Sequence, residues 1–278
     1  MALALALVLG LVIGSFLNVV ILRLPEGISI VRPRSRCPKC KRAIAWYDNV
    51  PILSYVLLGG RCRGCNKKIS IRYPLVEALS GMVGLLMYYK FGPGIEWVVF
   101  FSFSAALIVL ALVDLDHRIL PDAITLNGIW VGILANVYLA QPSPLAARLL
   151  RAAGVEATNS RVIALAASVL GAVVGGGLLW GVAEAYLRLR GIEGMGFGDV
   201  KMMAMVGAFL GAPRALLTIM IGSLVGSVVG LLYIRFAGKS REYELPFGTF
   251  LAAAGMVVVL YGDELVGWYV DRIIRPSL

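Results

Sequence analysis

The chain has 278 residues, of which 59% are hydrophobic and only 15% charged, with mean hydropathy +0.85 and a formal net charge of +10. That charge content cannot coat a soluble domain of this size, so a water-soluble globular enzyme is excluded and a polytopic membrane protein is indicated.

Eight apolar segments follow one another, at 3–22, 74–91, 97–113, 119–140, 162–186, 200–210, 215–236 and 247–261. Most reach the ~20 residues a helix needs to cross a bilayer, whereas 200–210 is short and reads as a partial span. The expected fold is all-α, a polytopic membrane protein with about eight transmembrane segments. No basic residue precedes the run 3–22 and no clear small-residue cleavage site follows it, so residues 1–24 read as a first transmembrane helix that is retained rather than a secretory signal.

The loop that follows sets the orientation. Residues 23–72 hold 12 of the 26 Lys and Arg against two acids, Glu26 and Asp48, while the remainder of the chain balances at 14 and 14. Excess positive charge marks cytoplasmic loops, so this one is expected inside and the N-terminus outside. Alternating spans then put 114–122, 191–199 and 238–244 inside and 141–161 outside. The outer stretch carries Arg148, Arg151 and Arg161 against Glu156, a discord outweighed by the larger bias of the first loop. The basic excess suits topology and contact with anionic membrane lipid. It lacks any module that reads nucleic acid, which is not an expected partner.

All four cysteines lie in this loop, as Cys37-Pro-Lys-Cys40 and Cys62-Arg-Gly-Cys65. Two Cys-x-x-Cys turns let four thiolates reach one tetrahedral ion, and Lys39, Arg61 and Arg63 favour the thiolate form. Zn2+ is the reading taken; disulfides or a redox dithiol suit a cytoplasmic, reducing compartment less well. A four-thiolate site leaves no open position, so the metal is expected to be structural, folding residues 25–72 as a zinc knuckle with little core of its own. The intervening Trp46 to Pro51 serves either a binding surface or the packing of this small domain.

Two aspartates stand at the edges of apolar segments. Asp114 is the first acid of Ala-Leu-Val-Asp-Leu-Asp-His-Arg-Ile-Leu-Pro-Asp, and Asp199 ends Gly-Met-Gly-Phe-Gly-Asp. A carboxylate at membrane depth is costly and is seldom idle. On one membrane face the two would form an acid/base pair able to hydrolyse a peptide bond, one activating water while the other protonates the carbonyl oxygen. The plainer reading makes Asp199 or Asp122 a helix N-cap and Asp116 a solvated interface residue. The glycines before Asp199 tip the balance, since they permit close backbone approach and local unwinding around an extended substrate.

Other polar residues carry less. Glu77 lies inside the second segment, where it either pairs with the substrate amine, Arg72 or the methyl-transfer machinery, or is a buried partner of a neighbouring polar residue or a neutral acid. Asn18 reads as a helix–helix contact. His117, the sole histidine, reads as a satisfied interface residue, and Lys201 as a partner of lipid headgroups. The small-residue runs 171–177 and 222–230 read as close helix packing, and Met202, Met203 and Met205 as core.

Taken in order, these motifs resemble the type IV prepilin peptidases, membrane aspartic proteases of the Gly-x-Gly-Asp class. The resemblance runs through Gly14-Ser15-Phe16-Leu17-Asn18, Arg23-Leu24-Pro25, the cysteine tetrad, Arg72-Tyr73-Pro74-Leu75-Val76-Glu77, the Asp114 segment, Gly194 to Asp199 and Pro246-Phe247-Gly248. It implies a multi-pass inner-membrane enzyme that removes the basic leader of prepilins or pseudopilins, cutting after a glycine on the cytoplasmic side, for a pilus or secretion system. Asp114 and Asp199 match the family's catalytic pair, within a peptidase core at 73–278. The cysteine loop implies N-methylation of the new N-terminus, with S-adenosylmethionine as donor; no donor-binding residue is visible, as no Gly-rich nucleotide loop follows a strand. A peptidase without methyltransferase activity, and a non-enzymatic transporter or scaffold, are the alternative readings.

Overall fold

A computed structural model describes residues 1–141, 143–155, 158–192, 194–237, 245–269 and 272. The loop expected inside at 238–244, together with Glu156, lies outside the described residues. The described chain is helical, with no β-strand among the described residues: α1 (Ala2–Arg23), α2 (Leu53–Leu57), α3 (Arg72–Phe91), α4 (Ile95–His117), α5 (Asp122–Leu139), α6 (Pro144–Ala152), α7 (Ser160–Arg190), α8 (Phe197–Leu210), α9 (Ala212–Ala237) and α10 (Phe247–Tyr269).

Six of these helices, α1, α4, α5, α7, α9 and α10, are long and apolar enough to cross a membrane, and the chain is a multi-pass membrane protein. The count is six where the sequence suggested about eight, and the two exceptions differ. Helix α3 has the length, at 20 residues, but interrupts its apolar run with Glu77, Ser80 and Lys90. Helix α8 has 14 residues, about 21 Å at 1.5 Å per residue, against a hydrocarbon core of about 30 Å.

The chain forms two compact units, Met1–Val109 and Leu110–Leu278. In the first, α1 packs along α3. Ser80 donates its hydroxyl to the Gly10 carbonyl at 2.8 Å, and the Asn18 amide donates to Tyr73 O at 3.1 Å and Gly14 O at 3.3 Å. Asn18 is therefore the helix–helix contact that its place in an apolar span implies, of a kind worth roughly 1 kcal/mol.

In the second unit α8 is the core. Val200, Met202, Met203, Met205 and every residue from Val206 to Leu210 are buried, packed against α5, α7, α9 and α10. Gly171 of α7 and Gly207 of α8 meet backbone to backbone, so a side chain on either would overlap the other's carbonyl. A helix ending inside the protein must find partners for its last carbonyls without water. Asn136 of α5 donates to Ala208 O at 2.6 Å and Phe209 O at 3.0 Å, and Ser168 of α7 donates to Ala208 O at 2.6 Å.

Candidate active site and metal centre

Three helix ends of the second unit position the acidic residues. Asp114 lies in the last turn of α4, Asp199 in the first turn of α8, and Gly248 and Thr249 in the first turn of α10. Asp114 and Asp199 are both buried, at 5% and 7% exposure. Their carboxylates converge on Gly248: a methyl group there would stand 2.9 Å from Asp199 Oδ1 and 3.1 Å from Asp114 Oδ2. The two acids thus face the same glycine, and each lies within electrostatic reach of the other.

Their hydrogen bonding is unequal. The first backbone N–H groups of a helix have no partner within it, and that of Thr249 donates to Asp114 Oδ2 at 2.7 Å. Asp114 therefore caps α10 from another helix. The Thr249 hydroxyl lies 3.0 Å from the same oxygen and 3.0 Å from Ala111 O. Among the described residues no group donates to the Asp199 carboxylate, which leaves it available to a water or a substrate.

The glycines before Asp199 act through close approach. None of Gly194, Gly196 and Gly198 has positive φ. Gly198 admits Leu120, whose Cβ a methyl group would meet at 2.9 Å; Leu120 also reaches Gly248, where the corresponding distance to Cδ1 is 3.0 Å. Leu120 is thus the apolar wall beside both carboxylates.

Neighbouring polar residues differ in part from the sequence reading. Asp122 is not an N-cap: Pro121 holds that position and caps with no side chain. Instead Asp122 receives Lys201 Nζ at 2.7 and 2.8 Å, so Lys201 joins α8 to α5 rather than reaching toward lipid headgroups. Its ammonium also lies 5.3 Å from the Phe197 ring centre. His117 is exposed, as the last residue of α4.

In the first unit the Cys37 and Cys62 segments form two similar knuckles. Cys37 N–H donates to Arg42 O and Cys62 N–H to Lys67 O, each at 2.9 Å, and Lys41 and Asn66 turn the chain with φ of 60° and 56°. The four sulfurs lie within 4.8 Å of one another, with Cys37 to Cys65 at 3.9 Å and Cys40 to Cys62 at 4.0 Å. Four Zn–S bonds of about 2.3 Å in a tetrahedron require sulfurs about 3.8 Å apart. Disulfides would need about 2.05 Å, and all four cysteines are free. The donor set therefore fits a metal ion. The Cys40 backbone N–H, with that of Lys39 and the Cys62 and Cys40 thiols, outweighs burial and brings the Cys37 thiol down to about 6. At Cys65 the Lys67 amide acts in the same direction, but burial and the other three sulfurs prevail and push it up to about 11.

The segment between the knuckles packs onto the second one. A 3₁₀ turn, Trp46–Asn49, carries Asp48, which receives Arg63 Nε at 2.9 Å and Nη2 at 2.7 Å, while the guanidinium lies 5.7 Å from the Tyr47 ring centre. Arg63 holds the Asp48 carboxyl below the usual carboxylate range. Glu77 of α3 is buried and accepts the Ile52 N–H at 2.8 Å, fixing the start of α2 where Ile52 adopts φ of 59°.

Two family models match the chain: residues 8–91 match the bacterial peptidase A24 N-terminal domain, and 101–231 the type IV leader peptidase family. A prepilin leader peptidase/N-methyltransferase of Pseudomonas putida is 36% identical, covering 94% of this chain and 91% of its own. The chain belongs to the type IV leader peptidase family. Proteins of the same description from Burkholderia pseudomallei (strain K96243), 36% identical over 94% of this chain and 86% of that one, and from Pseudomonas aeruginosa, 33% identical over 95% and 92%, agree. No solved structure matches it. Both aspartates fall within the type IV leader peptidase match, and the cysteine tetrad within the N-terminal one. Gly248 stands in the Pro-Phe-Gly motif, where sequence gives it no role; Thr249 and Leu120 carry no sequence signal of their own.

Proposed function

We propose that the chain removes the leader of type IV prepilins or pseudopilins, cutting after a glycine at the cytoplasmic face of the inner membrane, and then methylates the new amino terminus. The convergence of Asp114 and Asp199 on Gly248 carries this reading. With one carboxylate ionised and the other protonated, the first takes a proton from water as the water oxygen attacks the scissile carbonyl carbon. The second protonates the carbonyl oxygen. As the tetrahedral adduct collapses, the C–N bond breaks, the departing nitrogen takes a proton from the first residue, and a hydroxyl proton returns to the second. The pair is restored with one proton between them.

The six spanning helices would place the substrate's own apolar segment alongside them in the bilayer, in contact with membrane lipid, and the strongly basic loop 23–72 supports a cytoplasmic position for that loop with the N-terminus outside. In the first unit Cys37, Cys40, Cys62 and Cys65 would hold Zn2+, which supplies folding energy to a loop with little core. Methylation would transfer the methyl group of S-adenosylmethionine to the new α-amino group, with loss of a proton; no residue is assigned to the donor.

Co-expression of a prepilin with the parent, Asp114→Ala and Asp199→Ala forms, followed by intact-mass measurement of the pilin, tests both steps. The parent should remove the leader and add one methyl group, and each variant should leave the leader in place. Cleavage by either variant would remove the aspartyl mechanism, and cleavage without methyl gain by the parent would confine the activity to peptide hydrolysis.

A further inference from the structure

We propose that Thr249 is a positioning residue of the peptidase, holding Asp114 in one orientation and keeping it hydrogen-bonded in both of its protonation states. This rests on the reading of Asp114 and Asp199 as the catalytic pair.

The geometry around Asp114 Oδ2 has a fixed part and an adaptable part. The Thr249 N–H, 2.7 Å away, is built into the first turn of α10 and donates whatever the state of the acid. The Thr249 hydroxyl has one proton and two lone pairs, and it stands 3.0 Å from both Asp114 Oδ2 and Ala111 O. When Asp114 is ionised, the hydroxyl donates to Oδ2. When Oδ2 carries the proton, the hydroxyl rotates to donate to Ala111 O and accepts from Oδ2. Ala111 stands on the same helix as Asp114, one turn earlier, so its carbonyl moves with the acid it serves.

A residue that takes and returns a proton within one turnover passes through both states. Beside the fixed N–H, a side chain that could only donate could not accept the acid's proton, and one that could only accept would face a bare oxygen in the ionised state. A buried polar atom left without its partner is costly, and Asp114 is 5% exposed. Asp199 has no such partner among the described residues, so Asp114 is the member of the pair whose orientation a hydrogen bond sets.

The test separates the hydroxyl from the backbone N–H, which no substitution short of proline removes. Thr249→Val keeps the shape and deletes the hydroxyl, whereas Thr249→Ser keeps the hydroxyl; Asp114→Asn is assayed in parallel on a purified prepilin in detergent. Thr249→Val should lower kcat on the order of 10-fold or more with KM within about twofold, and Thr249→Ser should stay within about threefold of the parent. Thermal unfolding checks that each variant is folded, and Thr249→Ala replaces the valine form if that one is not. Parent-like kcat in the hydroxyl-free form, equal losses in the serine and valine forms, or an effect confined to KM would each overturn the proposal. Such a result alongside an inactive Asp114→Asn leaves the catalytic pair standing, whereas an active Asp114→Asn removes the pair itself.

Discussion

Gly248 presses its Cα face against Asp199: a methyl group at that position would stand 2.9 Å from Asp199 Oδ1 and 3.0 Å from Leu120 Cδ1. Neither neighbour can yield freely, since Leu120 is also seated against Gly198 and Asp199 is set by the first turn of α8.

Gly248→Ala should therefore displace one carboxylate and lower the cleavage rate by about 100-fold or more, because a misplacement of about 1 Å at a reacting centre costs that much. Methylation of a synthetic pilin peptide already lacking its leader should continue. Prepilin cleavage at the parent rate by this variant would mean that the space between the acids is wider than the geometry gives.

The Lys201 to Asp122 pair should matter little to stability despite its closeness to Asp199. Its side chains are 23% and 57% exposed, and solvent screening leaves such pairs at about 0–1 kcal/mol. Lys201→Met and Asp122→Asn are expected to shift unfolding by no more than that, with a double-mutant coupling in the same range. A coupling of several kcal/mol would show that the pair fixes α5 against α8 in the folded protein.

Zinc should be present at about one ion per chain, measured by elemental analysis of protein purified without chelator. Cys62→Ser should lose the metal and abolish methyl gain by the pilin, while leader loss continues, because the aspartates and Thr249 lie in the second unit. Metal-free parent protein that still methylates would reduce the tetrad to a bystander.

Arg63 should not be replaceable by lysine, which lacks the planar fork that engages Asp48 through two nitrogens. Hydrogen exchange at 46–49 and 62–66 should rise in Arg63→Lys and in Asp48→Asn. The Asp48 pKa is lowered in the fold, so its contribution is fully present above the ordinary carboxylate value and is lost as pH falls through the lowered one. Protection of these amides, corrected for intrinsic exchange, should therefore fall in the parent only in acid, and in Asp48→Asn should show no such step.

The chemistry-bearing residues were legible because their types are anomalous where they stand. Carboxylates at the ends of apolar runs and paired cysteines in a basic loop announce themselves through cost and spacing. Thr249 and Leu120 do not, since a threonine or leucine beside an apolar segment is ordinary and acquires meaning only when distant helix ends meet. Helix α8 looked like a curtailed span because apolar composition does not distinguish lipid from protein as the surrounding medium. On sequence alone Lys201 reads as a partner of lipid headgroups and Asp122 as a helix N-cap, because their partnership crosses from one helix to another.

That buried setting of α8 also predicts a non-additive pair. Ala208 O accepts from both Asn136 and Ser168 at 2.6 Å, so either donor alone can satisfy it. Ser168→Ala should cost less than about 1 kcal/mol, and Asn136→Ala about 1–3 kcal/mol because Phe209 O loses its Asn136 donor as well. Removing both leaves Ala208 O without either side-chain donor, away from water, so the double variant should lose more than the two single effects together. Thermal unfolding in detergent measures all three; strict additivity would mean that water reaches the end of α8, and that this helix is not enclosed by its neighbours.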